Sequence, residues 1–298
     1  MKNQIIQGDA LTILRTLPAQ SVQTCITSPP YFGLRDYGVD GQIGLEETPE
    51  VYVQKLVEVF REVRRVLRDD GSLWLNLGDS YVHKQLIGIP WRVAFALRAD
   101  GWHLRQDIIW HKPNPIPESV TDRCTKAHEY IFLLSKSPKY YYDHLAIQER
   151  AVWDVDGEGT IKRVERQKEG MKSGPTEMKN GIRIVYPGIR IVYPNGKHKD
   201  GQQFSKVING MRNKRSVWTV TTKPYKGAHF ATFPHDLIEP CVLAGAPPNS
   251  VVLDPFMGSG TTAAVAKSLG RYYIGCEINP SYIKLANERI GSVTFPIL

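Results

Sequence analysis

Short apolar runs alternate with longer stretches in which apolar residues recur every three to four positions, the periods of strands and amphipathic helices. Residues 5–7 predict a short strand ending at Gly8-Asp9, and 10–17 a helix stopped by Pro18. Residues 22–26 predict a second strand, with Thr27-Ser28-Pro29-Pro30-Tyr31 at its C-terminal end. Across 49–67, Val53, Leu56, Val57, Phe60, Val63 and Leu67 form one helical stripe, and Asp69-Asp70-Gly71 reads as its stop. A buried strand is expected at 72–77, a helix at 90–99 ending in Asp100-Gly101, and strands at 104–110 and 130–135. The loop 31–45 carries Gly33, Gly38, Gly41 and Gly44 and is expected to move when a large ligand binds. Strands separated by helices in this rhythm predict a doubly wound, mostly parallel α/β sheet.

The rhythm breaks at about residue 152 and returns at 217. The chain as a whole carries a net charge of +8, yet 161–215 alone holds 14 Lys or Arg against 4 Asp or Glu. The whole positive excess therefore sits in one segment, where a polyanion could bind. The same segment contains a direct repeat, Gly-Ile-Arg-Ile-Val-Tyr-Pro at 181–187 and again at 188–194. Two such copies fit a hairpin presenting Arg183 and Arg190 as well as they fit a duplication tolerated in a surface loop. They are too short for a solenoid.

Composition narrows the classes. With 298 residues, 42% of them hydrophobic, the chain suffices for one large α/β domain or for a domain with an insertion. No apolar run approaches a membrane span and no N-terminal signal pattern is present, so a cytoplasmic location is expected. Cys25, Cys124, Cys241 and Cys276 are scattered without a C-x-x-C pair, which suggests neither a zinc site nor a disulfide framework. Pro240-Cys241 is not followed by Gln, so the thiolate chemistry of C5-cytosine methylation is not indicated.

Two segments carry candidate chemistry. Asp254-Pro255-Phe256-Met257-Gly258-Ser259-Gly260-Thr261-Thr262 follows the apolar run 251–253 and opens a helical stretch at 263–269. A glycine-rich turn between strand and helix lets a ligand approach bare backbone amides. Glu277 ends the next apolar run, 272–276, about where an acidic residue grips a ribose in dinucleotide-binding units. The turn is neither G-x-G-x-x-G nor a P-loop, so a nicotinamide and a triphosphate are both poor candidates. In the other segment, two prolines fix the backbone so that the Ser28 hydroxyl and the Pro29 carbonyl can accept from a flat, amino-bearing ring. Tyr31 offers that ring a stacking face.

Together, Ser-Pro-Pro-Tyr and Asp-Pro-Phe-x-Gly-Ser-Gly-Thr resemble the amino-methyltransferases of DNA, and their order resembles the permuted β group of that family. Further segments match in sequence order: Gly8-Asp9-Ala10, the stretch 71–79, Trp110-His111-Lys112-Pro113-Asn114, Pro117-Glu118-Ser119, and Ala228-His229-Phe230-Ala231-Thr232-Phe233-Pro234. The resemblance implies a Rossmann-like methyltransferase fold using S-adenosylmethionine and no metal. It assigns 1–150 to the catalytic half, 151–216 to an inserted target-recognition region, and 217–298 to the cofactor-binding half. Ser28, Pro29, Pro30 and Tyr31 become the catalytic tetrad. Gly258, Ser259, Gly260 and Thr261 would pass beneath the methionine moiety, with Asp254 bracing the loop and Phe256 packing nearby. Glu277 would hold the ribose, Phe230 and Phe233 would close the methionine end, and Asp9 would reach the adenine or a nearby water.

In that family serine before the prolines usually accompanies cytosine N4, and Asp or Asn usually accompanies adenine N6. Ser28 therefore implies N4-cytosine methylation of double-stranded DNA, with N6-adenine methylation as the alternative. A nucleoid-associated protein, a homodimer and a cognate restriction endonuclease are further implications. RNA and protein-glutamine methyltransferases usually carry Asn before the prolines and place the cofactor loop first, unlike this chain. A non-catalytic DNA-binding module would explain the basic segment but not both intact motifs.

Overall fold

The computed structural model describes residues 2–150, 178–179, 182–185, 190–192, 211–222 and 233–296. It comprises two units, Met1–Ile147 with Arg215–Leu298, and Gln148–Lys214. In the larger unit one sheet is built from β1 (Gln4–Gln7), β2 (Val22–Thr27), β3 (Leu67–Leu77), β4 (His103–His111), β5 (His128–Ser135), β6 (Val217–Thr219), β7 (Val251–Asp254) and β8 (Tyr272–Glu277). Their order across the sheet is β1-β8-β7-β2-β3-β5-β4-β6. Strand β5 runs antiparallel to β3 and β4, and every other pairing is parallel.

Helices α1 (Ala10–Thr16), α2 (Pro49–Val66) and α3 (Ile89–Ala99) share one apolar core with the sheet; α4 (His235–Gly245), α5 (Thr261–Ser268) and α6 (Pro280–Gly291) share the other. The strands serve both cores by alternation. Leu73, Leu75 and Leu77 of β3 join the first core and Trp74 the second; in β7, Val251 and Leu253 oppose Val252 in the same way. Helix α2 begins where Thr48 accepts a hydrogen bond from the Val51 amide, with Pro49 in its first turn. It buries Tyr52, Leu56, Val59, Phe60, Val63 and Val66, each contributing about 1.5–3 kcal/mol through burial. These features establish the doubly wound, mostly parallel sheet.

The boundary between α2 and β3 differs from the pattern reading. The helix ends at Val66, and Asp69-Asp70-Gly71 lies inside β3 instead of forming a helix stop. Val22 pairs with Leu67, but Thr24 already pairs with Ser72, so the intervening residues bulge out of register. Polar residues at a bulge mimic a turn signal, which displaces the expected boundary.

In the smaller unit the two copies of the heptapeptide repeat pair with each other. Ile182–Val185 runs antiparallel to Arg190–Val192, with Arg183 opposite Val192 and Val185 opposite Arg190. Met178–Lys179 pairs with the first of these strands. Glu149–Arg150 and Met211–Arg212 form a separate antiparallel pair, joined by an Arg212 Nε to Glu149 Oε1 bond of 2.9 Å.

Candidate active site

In a parallel sheet the loops at the C-terminal strand ends share one edge. Here the ends of β1, β2, β3, β7 and β8 deliver Asp9, Ser28, Asn76, Phe256 and Glu277 to a cavity of about 950 Å³. The antiparallel course of β5 brings its N-terminal residues, His128 and Glu129, to the same edge. Trp110 and Lys112, at the end of β4, complete this side.

The Ser28–Tyr31 turn sits in a hydrogen-bonded network. Ser28 Oγ donates to Tyr31 Oη at 3.3 Å, and Tyr31 Oη donates to Glu129 Oε2 at 2.6 Å. Asn76 Nδ2 lies 2.6 Å from Tyr31 Oη, 2.8 Å from Glu129 Oε2 and 3.3 Å from Ser28 Oγ. Because the Glu129 carboxylate accepts, the Asn76 amide nitrogen must face it, which leaves Asn76 Oδ1 as the second amide group. That oxygen is buried without a hydrogen-bond partner among the described residues. Lys112 Nζ forms a salt bridge with Glu129 Oε1 and lies 4.4 Å from the centre of the Trp110 ring. Burial pushes the Tyr31 hydroxyl well above its usual pKa, and the neighbouring Glu129 carboxylate adds to the shift. The Tyr31 ring packs so closely on Gly78 that a Cβ there would lie 2.5 Å from Tyr31 Cε2. Tyr52 Oη donates to the Pro30 carbonyl at 2.8 Å and fixes the turn.

Across the cavity, Asp254 is fully buried beneath the glycine loop. It accepts from Thr27 Oγ1 at 2.6 Å, Thr262 Oγ1 at 2.7 Å and the Phe256 amide at 3.0 Å. Burial raises its pKa to about 6 despite those three donors. The Thr27 bond ties the strand leading into the Ser28–Tyr31 turn directly to the loop. Glu277 accepts from the Gly258 amide at 2.7 Å and the Asn279 amide at 2.8 Å. Its pKa is raised by burial and partly restored by those amides. Gly260 is left-handed at φ 79°, and a Cβ there would lie 2.8 Å from Ala286 Cβ.

The sequence-predicted residues thus meet in one place, with two qualifications. Asp9 lines the cavity, but its Oδ1 caps α1 by accepting from the amide and hydroxyl of Thr12, each at 2.8 Å. Phe233 lines the cavity, whereas Phe230 lies outside the described residues. Three participants were missed: Asn76, Glu129 and Arg289. Arg289 Nη1 donates to Thr261 Oγ1 at 2.7 Å and Ser259 Oγ at 3.2 Å, fixing the loop from α6. Asn76 lies within the matching stretch 71–79, and the polar pair His128-Glu129 before an apolar run is a weak hint of the second. Cys241 is buried on α4 and does not reach the cavity.

Solved structures share this Rossmann-like fold. The PvuII DNA methyltransferase, described as cytosine-N4-specific, aligns at a TM-score of 0.67 over 97% of this chain and 86% of that one, with 18% identity. The Thermus thermophilus protein TTHA0409, described as a putative DNA modification methylase and solved with S-adenosyl-L-methionine, gives 0.62 and 25% identity over 97% and 93%. Residues 22–288 match the DNA methylase family of N6 and N4 type, and the chain belongs to that family. It is 42% identical to the type II methyltransferase M.Cfr9I of Citrobacter freundii, over 96% of this chain and 87% of the relative. M.SmaI of Serratia marcescens is also 42% identical, over 96% and 90%.

Proposed function

We propose that this chain transfers a methyl group from S-adenosylmethionine to the exocyclic N4 of cytosine in double-stranded DNA, acting on a base turned out of the stack. The observation that carries the proposal is the pairing, across one cavity, of the Ser28 to Tyr31 turn with the loop braced by Asp254. The name of the PvuII neighbour and the serine before the prolines both favour cytosine over adenine. The order of the two motifs along the chain supports placement in the permuted β group.

The donor set fits the cofactor. A carboxylate at Glu277, the open turn at Gly258 and the apolar Phe256 line one end of the cavity, suited in turn to a ribose, an amino-acid moiety and flat apolar surface. S-adenosylmethionine, when bound, supplies a methyl group already activated by its sulfonium. The remaining work falls to this chain's residues. An exocyclic amine is a poor nucleophile because its lone pair is delocalised into the ring. Acceptors aimed at its two protons favour a pyramidal nitrogen and stabilise the positive charge that develops there. Ser28 Oγ and the Pro29 carbonyl take that role. Glu129 and Lys112 hold Tyr31 and Asn76 in register for alignment. The target must leave the duplex because its amine lies within a base pair.

The basic segment 161–215 serves target recognition in this reading, and a cognate restriction endonuclease is the expected companion of a type II methyltransferase. Methyl transfer from labelled S-adenosylmethionine to DNA by the wild type and by Ser28→Ala tests the proposal. The wild type should label DNA, and the variant should lose turnover while binding cofactor normally. Unchanged turnover in the variant would remove Ser28 from the mechanism, and no labelling by the wild type would overturn the function.

A further inference from the structure

At the rim of the cavity stands a residue that the chemistry above does not use. Ile116 lines the cavity but is 80% exposed, the highest value among the exposed large apolar side chains of the described residues. A solitary exposed isoleucine is ordinary on a protein surface. This one is held out by its surroundings. Pro115 fixes its own φ, and Pro117 restricts Ile116 to extended backbone, so the side chain is carried on a stiff three-residue arch. Both feet of the arch are anchored. Asn114 exchanges hydrogen bonds with Thr222, Oδ1 accepting from its amide at 3.0 Å and Nδ2 donating to its carbonyl at 3.2 Å. On the other side Glu118 pairs with Arg123 at 2.5 Å, and the Arg123 guanidinium lies 4.2 Å from the centre of the Tyr81 ring. Leu34, also exposed and lining the cavity, lies instead in the glycine-interrupted loop after the tetrad.

A base drawn into the cavity leaves a gap in the duplex, and apolar side chains inserted between base steps are an established way to hold DNA unstacked. Resting on the proposed function, we propose that Ile116 is the wedge that enters the stack and occupies the space vacated by the target base. It is a positioning residue: it acts on the DNA conformation and takes no part in methyl transfer. Lys126 lines the same cavity and places a positive charge where a flanking phosphate would pass.

The wedge predicts a defect that depends on how firmly the target is held in the duplex. Single-turnover methylation would be measured on two duplexes bearing the site mapped from DNA modified by the wild type. In one the target faces its complement; in the other it faces an abasic position, which lowers the cost of extrusion. Ile116→Ala should slow methylation of the paired duplex by about tenfold or more and stay within about twofold of wild type on the abasic duplex. Ile116→Leu should restore the paired rate, since bulk and not shape is required. Equal slowing on both duplexes, or no slowing on either, would overturn the wedge while leaving the enzyme's function intact. A wild type that methylates neither duplex would instead overturn the underlying reading, and the wedge with it.

Discussion

Glu129→Gln is the perturbation that most sharply separates the network behind Tyr31 from ordinary packing. Glu129 Oε2 accepts from Tyr31 Oη at 2.6 Å and Asn76 Nδ2 at 2.8 Å, while Oε1 faces the Lys112 ammonium. A glutamine fills the same volume but presents one amide nitrogen. Facing Tyr31 and Asn76, that nitrogen would oppose the Asn76 amide donor and remove the acceptor Tyr31 now uses; facing Lys112, it would oppose an ammonium. The second orientation is the less costly, because Lys112 is 19% exposed and can turn toward water. Leaving a buried charge or donor partly unsatisfied costs about 1–3 kcal/mol. Removing one partner outright, as in Glu129→Ala, leaves the Lys112 ammonium unpaired and costs up to about 3–5 kcal/mol. The effect on chemistry should exceed what stability explains: a misplacement of about 1 Å in a positioning group lowers turnover by about a hundredfold. Urea denaturation would give the stability change, and steady-state methylation with a separate cofactor titration would give the functional one. The expected pattern is a modest loss of stability, a large loss of kcat and an unchanged cofactor Kd. A folded Glu129→Gln protein with wild-type kcat would refute the claim that Glu129 positions the tetrad.

Three further outcomes follow from the same geometry. Gly78→Ala forces the Tyr31 ring away from its seat, because the added Cβ would lie 2.5 Å from Cε2; turnover should fall about a hundredfold while circular dichroism stays native. Asp254 has a folded pKa of about 6, above its unfolded value near 3.8, so the neutral acid is favoured in the folded state. Its contribution to stability is therefore present below pH 3.8 and lost as pH rises through about 6, amounting to about 3 kcal/mol. Asp254→Asn lacks this titration, so urea midpoints should show the variant gaining on wild type between about pH 4 and 6.5; a pH-independent difference would contradict the assignment. DNA affinity should fall steeply with salt if the excess charge of 161–215 contacts phosphates, and a flat response would remove that segment from the interface.

What the sequence revealed was local. The tetrad and the glycine loop are each contiguous, each follows an apolar run, and each sits at a strand end, so pattern and chemistry coincide. The parallel sheet followed from the strand–helix rhythm. Glu129 was hidden because it reaches Tyr31 across 98 positions of chain, through an antiparallel strand whose direction no local pattern encodes. Arg289 was hidden likewise: on the last helix an arginine reads as a solvated charge until packing sets it against the glycine loop. Asp69-Asp70-Gly71 misled because bulges and helix stops favour the same residue types. The basic segment declared its charge but not its partner.

The central claim is the base that receives the methyl group. It is tested most directly by nucleoside mass spectrometry of mixed genomic DNA after incubation with the protein and labelled S-adenosylmethionine. The account predicts label in N4-methylcytosine. Label in N6-methyladenine would contradict the cytosine assignment while keeping the fold and the site, and no labelled nucleoside would contradict DNA methylation itself.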